Sequence, residues 1–381
     1  MLLDAARDTA YALVNGQLAS GGWDYRIYFD PKERQRCAYR VAPANEKGRN
    51  VSTLDDNTTQ SALRFLMHVD QVLEFKDAKI HEAVTYGLEC LLKAQYPNGA
   101  WPQRFTAPPD PAQFPVKKAS YPDTWSRTHD RKNYTGYYTF NDNTIGDAIS
   151  TMFDAARIYN DARYRASAEK AGGFIVLAQM PDPQPGWAQQ YDPDMHPAWA
   201  RKFEPPSITG GESQGAMRTL IQVYRETGDA RFLEPLPKAL AYYKKSLLPN
   251  GQLARFYELQ TNTPLYFTKD YQLTYSDADM PTHYGFKVGS QLDAIEAEYE
   301  AVKKLDRAAL KPPEAKRAYR MSDALAKQAR QVVDQLDARG AWVQEGPLLY
   351  HGADDPTTHI IACGTFAKNL RVLSEFLAAC D

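Results

Sequence analysis

The sequence predicts an all-α fold, namely an α/α toroid (an incomplete α/α barrel of repeated antiparallel helix pairs) with long aromatic-rich loops. Segments with an apolar period of 3.6 residues dominate, and no segment shows sustained period-2 alternation. The helical segments come largely in pairs joined by a few residues, which makes the helices of a pair antiparallel neighbours. Because repeated pairs must bury their faces on each other, they form either a closed ring or an open superhelix, and we expect the ring.

The predicted elements cover most of the chain. They are helices over 59–75, 78–95, 144–159, 163–180, 212–227, 231–247, 290–308, 314–336 and 364–379. At 381 residues the chain is long enough for one large domain or two ordinary ones. We expect a single catalytic domain over 1–381, with 114–134 as a loop insertion.

A glycine-containing turn with an aromatic residue follows each helix pair. Its copies are "ASGGWDY" (19–25), "YPNGAWPQ" (96–103), "QPGWAQQ" (184–190), "PNGQLARF" (249–256) and "DARGAWVQ" (337–344). Two of them belong to the pattern Q-x-x-x-G-x-W, which resembles the turns of α/α toroids. We interpret the pattern as structural, with the glycine making the turn and the ring tying helix ends together.

Composition excludes several classes of protein. The 45 basic and 47 acidic side chains nearly balance, whereas a nucleic-acid binder normally carries a basic excess. The sequence contains no run of about 18 apolar residues, so it predicts no membrane-spanning helix. The first residues, "MLLDAARDTAY", carry charge too early for a secretory signal, so we expect the mature form of a secreted or periplasmic protein, acting as a monomer. The 24 tyrosines and six tryptophans, many of them in loops, suit sugar ligands.

The four cysteines show no zinc-like spacing with histidine. We interpret them mainly as small buried apolar residues. The alternative is disulfide formation, with Cys37–Cys90 as the candidate pair.

A polar cluster precedes the first helix of three successive pairs. The clusters are "STLDDNTTQ" (52–60), "TFNDNTIG" (139–146) and "ITGGESQG" (208–215). Each of them alone is explained by helix capping. In a ring of helix pairs, however, all first helices start on one face, so Asp55, Asp56, Asp142 and Glu212 would converge there. Closely spaced carboxylates need a cation or a shared proton, and hard oxygen ligands suit calcium or magnesium.

Seven segments together resemble the pectate lyases of polysaccharide lyase family 10. They are "STLDDNTTQSALRFL" (52–66), "LLKAQYPNGAWPQ" (91–103), "YTFNDNTI" (138–145), "WAQQYD" (187–192), "PAWARKFEPPS" (197–207), "GGESQG" (210–215) and "ARFYELQTNTPLY" (254–266). The resemblance implies an α/α toroid that cleaves polygalacturonate by anti β-elimination. It also implies Ca²⁺ bridging protein acids and substrate, and a product with a 4,5-unsaturated end.

The resemblance also implies roles for individual residues. Arg201 matches the family's catalytic base, although a pKa above 12 makes an electrostatic clamp on the uronate the alternative role. Asp55 matches an acid needed for activity and for the metal, and Asp142 matches a calcium-site acid. The implied substrate-binding residues are Arg255, Lys269, Trp187, Gln190 and Glu212. Lys269 stands where arginine is expected, so the positive charge is kept but bidentate geometry is not.

Two other functions remain open from the residues alone. An inverting glycoside hydrolase on the same fold would use Asp55 and Asp142 as two carboxylates about 6.5–9.5 Å apart. A non-catalytic carbohydrate-binding scaffold would not depend on Arg201. For the insertion 114–134, which has five basic residues beside Tyr121, Trp125 and Tyr134, we expect either the wall of a groove for an acidic polymer or a solvated loop.

Overall fold

The computed structural model describes residues 2–41, 45–306, 309–310, 319–348 and 354–380. Its backbone contacts divide the chain into two compact units, Met1–Lys311 and Pro312–Asp381. No helix in the described ranges is long and apolar enough to cross a membrane. The expected extent of a single catalytic domain stays a prediction.

Helices make up most of the first unit. They are α1 (Leu2–Gly16), α2 (Pro31–Arg34), α3 (Thr58–Val72), α4 (Ala78–Lys93), α5 (Thr144–Tyr159), α6 (Ala162–Leu177), α7 (Glu212–Thr227), α8 (Leu236–Lys245) and α9 (Leu292–Lys303). From α3 to α9 they follow the predicted segments. Helix α1 was not predicted, although it buries Ala10 and Val14 in the core. Residues 307–308 and 314–318 of two predicted helices lie outside the described ranges.

The helices of the first unit pack in succession. Helix α3 packs on α5, α5 on α7, and α7 on α9, while α4 packs on α3 and α6 on α5. The apolar period explains this arrangement, because each helix turns a stripe such as Leu63, Leu66 and Met67 of α3 into a common core. The row α3, α5, α7 therefore consists of the first helices of successive pairs.

The prediction of an all-α fold is wrong, because short antiparallel strands lie in the loops. They are β1 (Ser52–Thr53), β2 (Arg104–Phe105), β3 (Tyr138–Thr139), β4 (Gln190–Tyr191), β5 (Ile208–Thr209), β6 (Leu253–Ala254), β7 (Phe256–Tyr257), β8 (Pro264–Phe267), β9 (Leu273–Thr274) and β10 (Lys287–Val288). Strands of two to four residues are too short to show an alternating apolar pattern, which is why the sequence does not reveal them.

The strands join each polar turn to a turn that follows a helix pair. Strand β1 pairs with β2, β3 with β4, and β6 with β10, while β5, β7, β8 and β9 form one sheet in that order. Strands β1, β3 and β5 lead into the starts of α3, α5 and α7. Their partners β2, β4 and β7 follow the turns near residues 101, 187 and 251. The sheets therefore hold the helix starts against these turns.

Tryptophan closes these turns by a hydrogen bond to the preceding helix. The indole N–H of Trp23 donates to the Leu13 carbonyl at 2.9 Å, that of Trp101 to Leu91 at 2.9 Å, and that of Trp187 to Ile175 at 2.8 Å. Helix ends leave carbonyls without a helical partner, and these bonds satisfy one of them in each pair. The structural interpretation of the rings agrees with this geometry.

The glutamines of the same turns connect neighbouring helix pairs. Gln95 Nε2 donates to the Gly99 carbonyl at 2.9 Å and to the Ser167 carbonyl of α6 at 3.0 Å. Gln17 makes the equivalent bonds to Gly21 and to Ala83 of α4. Gly99 has φ +100°, and a Cβ there would lie 2.3 Å from the Lys170 carbonyl oxygen, so no other residue fits this turn.

The second unit contains a further helix pair. It comprises α10 (Asp323–Asp334), α11 (Cys363–Ala378), and the paired strands β11 (Gln344–Glu345) and β12 (His359–Ile360). Helix α10 packs on α11, and the Trp342 indole N–H donates to the Val332 carbonyl at 2.7 Å. The turn at residues 337–344 thus repeats the tryptophan bond of the first unit.

The cysteines differ from both expectations. All four are free thiols, so no Cys37–Cys90 disulfide is present. Cys37 is buried as an apolar side chain would be, but Cys363 and Cys380 are exposed.

The tryptophan bond predicts a stability effect that is separate from ring burial. Trp101→Phe keeps most of the fully buried ring volume but leaves the Leu91 carbonyl without its donor, so the free energy of unfolding should fall by about 1–3 kcal/mol. Urea unfolding measures this change. Trp125→Phe is the control, because the Trp125 indole N–H has no hydrogen-bond partner among the described residues; an equal loss in both variants would contradict the explanation.

Candidate functional site

Two turns of the same unusual conformation precede α3 and α5. In the first, Asp56 and Asn57 have φ of +50° and +58°; in the second, Asp142 and Asn143 have +49° and +57°. Asp and Asn are the non-glycine residues that tolerate this left-handed region best. The two turns contact each other, so the sequence repeat D-N-T places equivalent acids side by side.

The two turns bring Asp55, Asp56 and Asp142 into one carboxylate cluster. Partial desolvation, followed by the charges of Asp55 and Asp56, raises the pKa of Asp142 to about 6, and the nearby Arg201 guanidinium opposes that rise. The hydroxyl of Tyr25 donates to Asp55 Oδ2 at 2.8 Å and to Asp56 Oδ2 at 3.1 Å. The convergence expected from the helix starts is therefore present for these three acids.

The carboxylate oxygens of the cluster are ligands of the kind that binds a hard cation. Asp55 Oδ1 is buried and has no hydrogen-bond partner among the described residues, and the cluster concentrates negative charge with no lysine or arginine paired to it. In the described ranges, no group of three or more His, Cys, Asp or Glu side chains could by itself hold a metal ion. The protein residues thus fit part of a calcium coordination shell and leave positions for other oxygen ligands.

Arg201 is held by a buried carboxylate. Its Nε donates to Glu204 Oε2 at 2.8 Å and its Nη2 to Glu204 Oε1 at 2.5 Å, so the pair is bidentate. The Glu204 side chain is 1% exposed and the Arg201 side chain 44% exposed. Glu204 raises the pKa of Arg201 above its ordinary value, so Arg201 is a cation. Its Nη1 makes no hydrogen bond among the described residues.

A hydrogen-bond network extends from this pair to both sides. Gln189 Nε2 donates to Glu204 Oε1 at 2.7 Å and to Asn141 Oδ1 at 2.9 Å, which links the pair to the turn before α5. The Tyr284 hydroxyl donates to Glu204 Oε1 at 2.9 Å. The sequence does not single out Gln189, Tyr284 or Asn141, and only the spacing R-x-x-E hints at Glu204.

Arg255 lies next to the same tyrosine. Its guanidinium carbon is 4.7 Å from the centre of the Tyr284 ring, and its Nη1 donates to Glu212 Oε1 at 3.0 Å. Its Nε donates to the Gly285 carbonyl at 2.6 Å. Glu212 Oε2 is buried and has no partner in the described part of the chain. Arg255 and Glu212, both expected to bind substrate, are therefore adjacent to the Arg201 pair.

Three other expected substrate-binding residues are placed differently. Trp187 is fully buried and Gln190 is 2% exposed, with its amide donating to the Ala198 carbonyl. Neither side chain presents a surface to a ligand; the neighbouring Gln189 points to the site instead, because adjacent strand residues face opposite sides. Lys269 is exposed and pairs with Asp279 at 3.1 Å, and no described contact joins it to Arg201 or Arg255.

The insertion 114–134 is anchored at several points, although most of its residues are exposed. Ser120 N donates to the Met195 carbonyl at 3.2 Å, the Trp199 indole donates to the Ser126 carbonyl at 2.9 Å, and His129 Nε2 is 2.9 Å from the Ala200 carbonyl. Lys117 pairs with Asp194, and Arg127 pairs with the buried Glu258. These contacts brace the loop that ends in Arg201.

The chain is similar in sequence to one known family and in fold to solved structures. A sequence model of the family described as pectic acid lyase matches residues 17–223. A family 10 polysaccharide lyase from Cellvibrio cellulosa has a TM-score of 0.57 at 22% identity, over 80% of this chain and 96% of that chain. An Asp-to-Ala mutant of the Cellvibrio cellulosa lyase in complex with trigalacturonic acid has a TM-score of 0.57 at 21% identity, over 79% and 95%. No curated protein sequence matches the chain.

The carboxylate cluster predicts a pH-dependent loss of stability in the presence of a chelator. The folded-state pKa of Asp142, about 6, lies above its ordinary value of 3.8, so the folded protein binds this proton more tightly. Its contribution is fully present below pH 3.8 and is lost as the pH rises to about 6. Asp142→Asn should therefore be more stable than the wild type at pH 7 by about 1 kcal/mol, after allowance for solvent screening.

Chemical unfolding at pH 4 and at pH 7 tests this expectation. Asp123→Asn, which removes an exposed acid of the insertion, is the control and should leave the wild-type pH dependence unchanged. A variant Asp142→Asn that is less stable than the wild type at pH 7 would show that Asp142 is not destabilised by its neighbours.

Proposed function

The chain belongs to the pectic acid lyase family and is a pectate lyase enzyme, and from this premise we propose that it cleaves polygalacturonate by calcium-dependent anti β-elimination. The products would be 4,5-unsaturated oligogalacturonates. The observation that carries the proposal is the arrangement of Asp55 and Asp142 near the Arg201 guanidinium, with Arg255 joined to the Arg201–Glu204 pair through Tyr284. A polymeric substrate also supports secretion or a periplasmic location.

The site meets the electrostatic need of the reaction. The proton at C5 of a uronate is very weakly acidic, and its removal places enolate-like charge on the adjacent carboxylate. Preorganised positive groups stabilise such charge as it develops. Arg201, fixed by Glu204, and Arg255, fixed by Glu212 and Gly285, are oriented before substrate binds.

Asp55 and Asp142 are the residues that we propose to hold calcium. Both offer carboxylate oxygens, and the unpartnered Asp55 Oδ1 gains a ligand that it otherwise lacks. When bound there, calcium would neutralise the substrate carboxylate and so increase the acidity at C5. Substrate carboxylates would supply coordination that the protein residues leave open. Tyr25, by donating to both Asp55 and Asp56, holds the first turn in place for this role.

Arg201 is the residue to which the proposal assigns the chemistry at C5. Its Nη1 is not used by Glu204, so one edge of the guanidinium is available to the substrate. In this state the Glu204 pair favours the charged form of Arg201, which supports the role of a clamp on the uronate carboxylate. The role of base, which the family resemblance implies, requires Arg201 to lose its proton in the complex with substrate.

The family of the chain argues against the hydrolase alternative. An inverting hydrolase needs its carboxylates about 6.5–9.5 Å apart, with a water between them. The chain instead matches a lyase family. Asp55 and Asp142 lie in turns that contact each other, and the Asp55 charge raises the pKa of Asp142.

The first prediction of the proposal concerns the product. Incubation with polygalacturonate and calcium should give rising ultraviolet absorbance from the conjugated alkene, because elimination creates a double bond beside the carboxylate. A chelator should abolish the rise, and added calcium should restore it. New reducing ends without this absorbance would show that the enzyme hydrolyses the chain and does not act by elimination. A rise in absorbance that persists in the chelator would show that the reaction does not require calcium.

A second prediction separates the roles of Arg201. Arg201→Ala should lower kcat by about 10²–10³ with a smaller change in KM, because it removes a group that acts on developing charge. Arg231→Ala, which removes an exposed arginine paired with Asp229, is the control and should retain wild-type kcat. If Arg201 is the base, kcat should continue to rise at alkaline pH; a clamp predicts no such rise from this residue. Wild-type kcat in Arg201→Ala would contradict both roles.

A further inference from the structure

A cavity of about 490 Å³ lies around strand β2, and we name it the Arg104 cavity. Its walls come from the turn after α4 and from both ends of the segment between β2 and β3. The polar lining residues used below are Arg104, Asp110, Gln113, Asn133 and Thr135. Part of its lining is aromatic, with the half-buried Phe114 ring tilted against Tyr96 at 4.3 Å between ring centres. The cavity is thus wide enough for a sugar unit and has hydrogen-bonding groups beside an apolar surface.

Arg104 differs from Arg201 and Arg255 because no acidic side chain is paired with its guanidinium. Its guanidinium has no hydrogen bond and no ion pair among the described residues, and its Nε is buried without a partner. Its backbone N–H, by contrast, is used, donating to the Thr135 carbonyl at 3.0 Å. A buried donor without a partner costs free energy that an anionic ligand would recover.

The cavity is connected to the proposed catalytic residues. Strand β2 pairs with β1 so that Arg104 stands opposite Thr53, two residues before Asp55. Two residues span at most about 7 Å of chain, which is an upper bound on the separation of Thr53 and Asp55. The phenol of Tyr134, between Asn133 and Thr135 in the chain, experiences the charges of both Arg201 and Arg104, which lower its pKa, while burial raises it more. A chain bound at Asp55 can therefore continue past Tyr134 to Arg104.

We propose that the Arg104 cavity is a further binding subsite, in which Arg104 pairs with the carboxylate of a galacturonate unit beyond those held at the carboxylate cluster. The Asn133 amide nitrogen and the Gln113 amide oxygen have no hydrogen-bond partner among the described residues and are available to the sugar hydroxyls. The Thr135 hydroxyl donates to Asn133 Oδ1 and can still accept a bond. The inference rests on the proposed function, since it takes the substrate to be polygalacturonate. It also gives the insertion a direct part in substrate binding, because Asn133 belongs to it and Thr135 follows it.

One lining residue is acidic, and it is already bonded to its own turn. Asp110 Oδ1 accepts from Ala112 N at 3.1 Å and Asp110 Oδ2 from Gln113 Nε2 at 3.2 Å, so both oxygens are engaged in capping the turn at Pro111–Gln113. These neutral donors hold the Asp110 carboxylate at the turn without cancelling its charge. Arg104 has no comparable local partner, so its guanidinium is the group of the lining that can pair with an anion.

Binding of galacturonate oligomers of increasing length to Arg104→Gln tests the subsite. Calorimetry in chelator, where cleavage does not proceed under the proposed function, should show unchanged affinity for the shortest oligomers. For oligomers long enough to reach the cavity, the affinity should fall about tenfold, which corresponds to one charge-assisted hydrogen bond. Arg225→Gln is the matched control: it also removes a half-buried arginine, but at the opposite end of α7 from Glu212, and should bind all lengths as the wild type does.

A second measurement does not depend on the folding of a variant. With wild-type protein, methyl esterification of the oligomer should abolish the added affinity of the longer chains, because Arg104 then meets an uncharged ester. Equal binding of long acidic oligomers by Arg104→Gln and Arg225→Gln, or an added affinity that survives esterification, would overturn the subsite. These results are distinct from failure of the proposed function, which would appear as wild-type protein that gives no unsaturated product from polygalacturonate.

Discussion

The indole N–H bond that follows α1, α4 and α6 is the interaction on which the site depends. It fixes the turn after each of these helices, and in two of these turns a glutamine bonds to the next pair as well. After the turns that follow α4 and α6, a short strand pairs with the strand that leads into the first helix of the same pair. The turns that carry Asp55 and Asp142 are thereby held from outside their own helices, which allows them to keep two consecutive residues at positive φ.

Because these turns meet, the like charges of Asp55, Asp56 and Asp142 are brought together. Two acid–arginine pairs, Glu204 with Arg201 and Glu212 with Arg255, belong to the same site, and Tyr284 contacts both pairs. Each pair is close to neutral by itself, so the pairs leave the negative charge of the carboxylate cluster for a cation to balance. The near-neutral composition of the whole chain conceals this local concentration.

The features that follow from repeated sequence segments could be predicted from the sequence. The features that depend on contacts between loops could not. Helices α3–α9 and the meeting of Asp55, Asp56 and Asp142 follow from apolar period and from repeated turns. The strands are too short to leave a pattern, so the all-α prediction was wrong. Trp187 belongs to a matching motif, but its ring closes a helix end. Nothing in the sequence shows that Gln189 rather than Gln190 reaches Glu204, since that depends on the pairing of β3 with β4.

The three arginines of the region differ in what holds them, and the difference separates their functions. A bidentate carboxylate gives Arg201 one orientation, which suits action on charge that develops at a single atom. Arg255 is held by one carboxylate oxygen and one carbonyl. Arg104 keeps its full charge because no side chain of the described residues pairs with it. Attraction of a polyanion needs uncompensated charge, whereas catalysis needs fixed position. An enzyme acting on an acidic polymer therefore benefits from arginines of both kinds, at adjacent points along one bound chain.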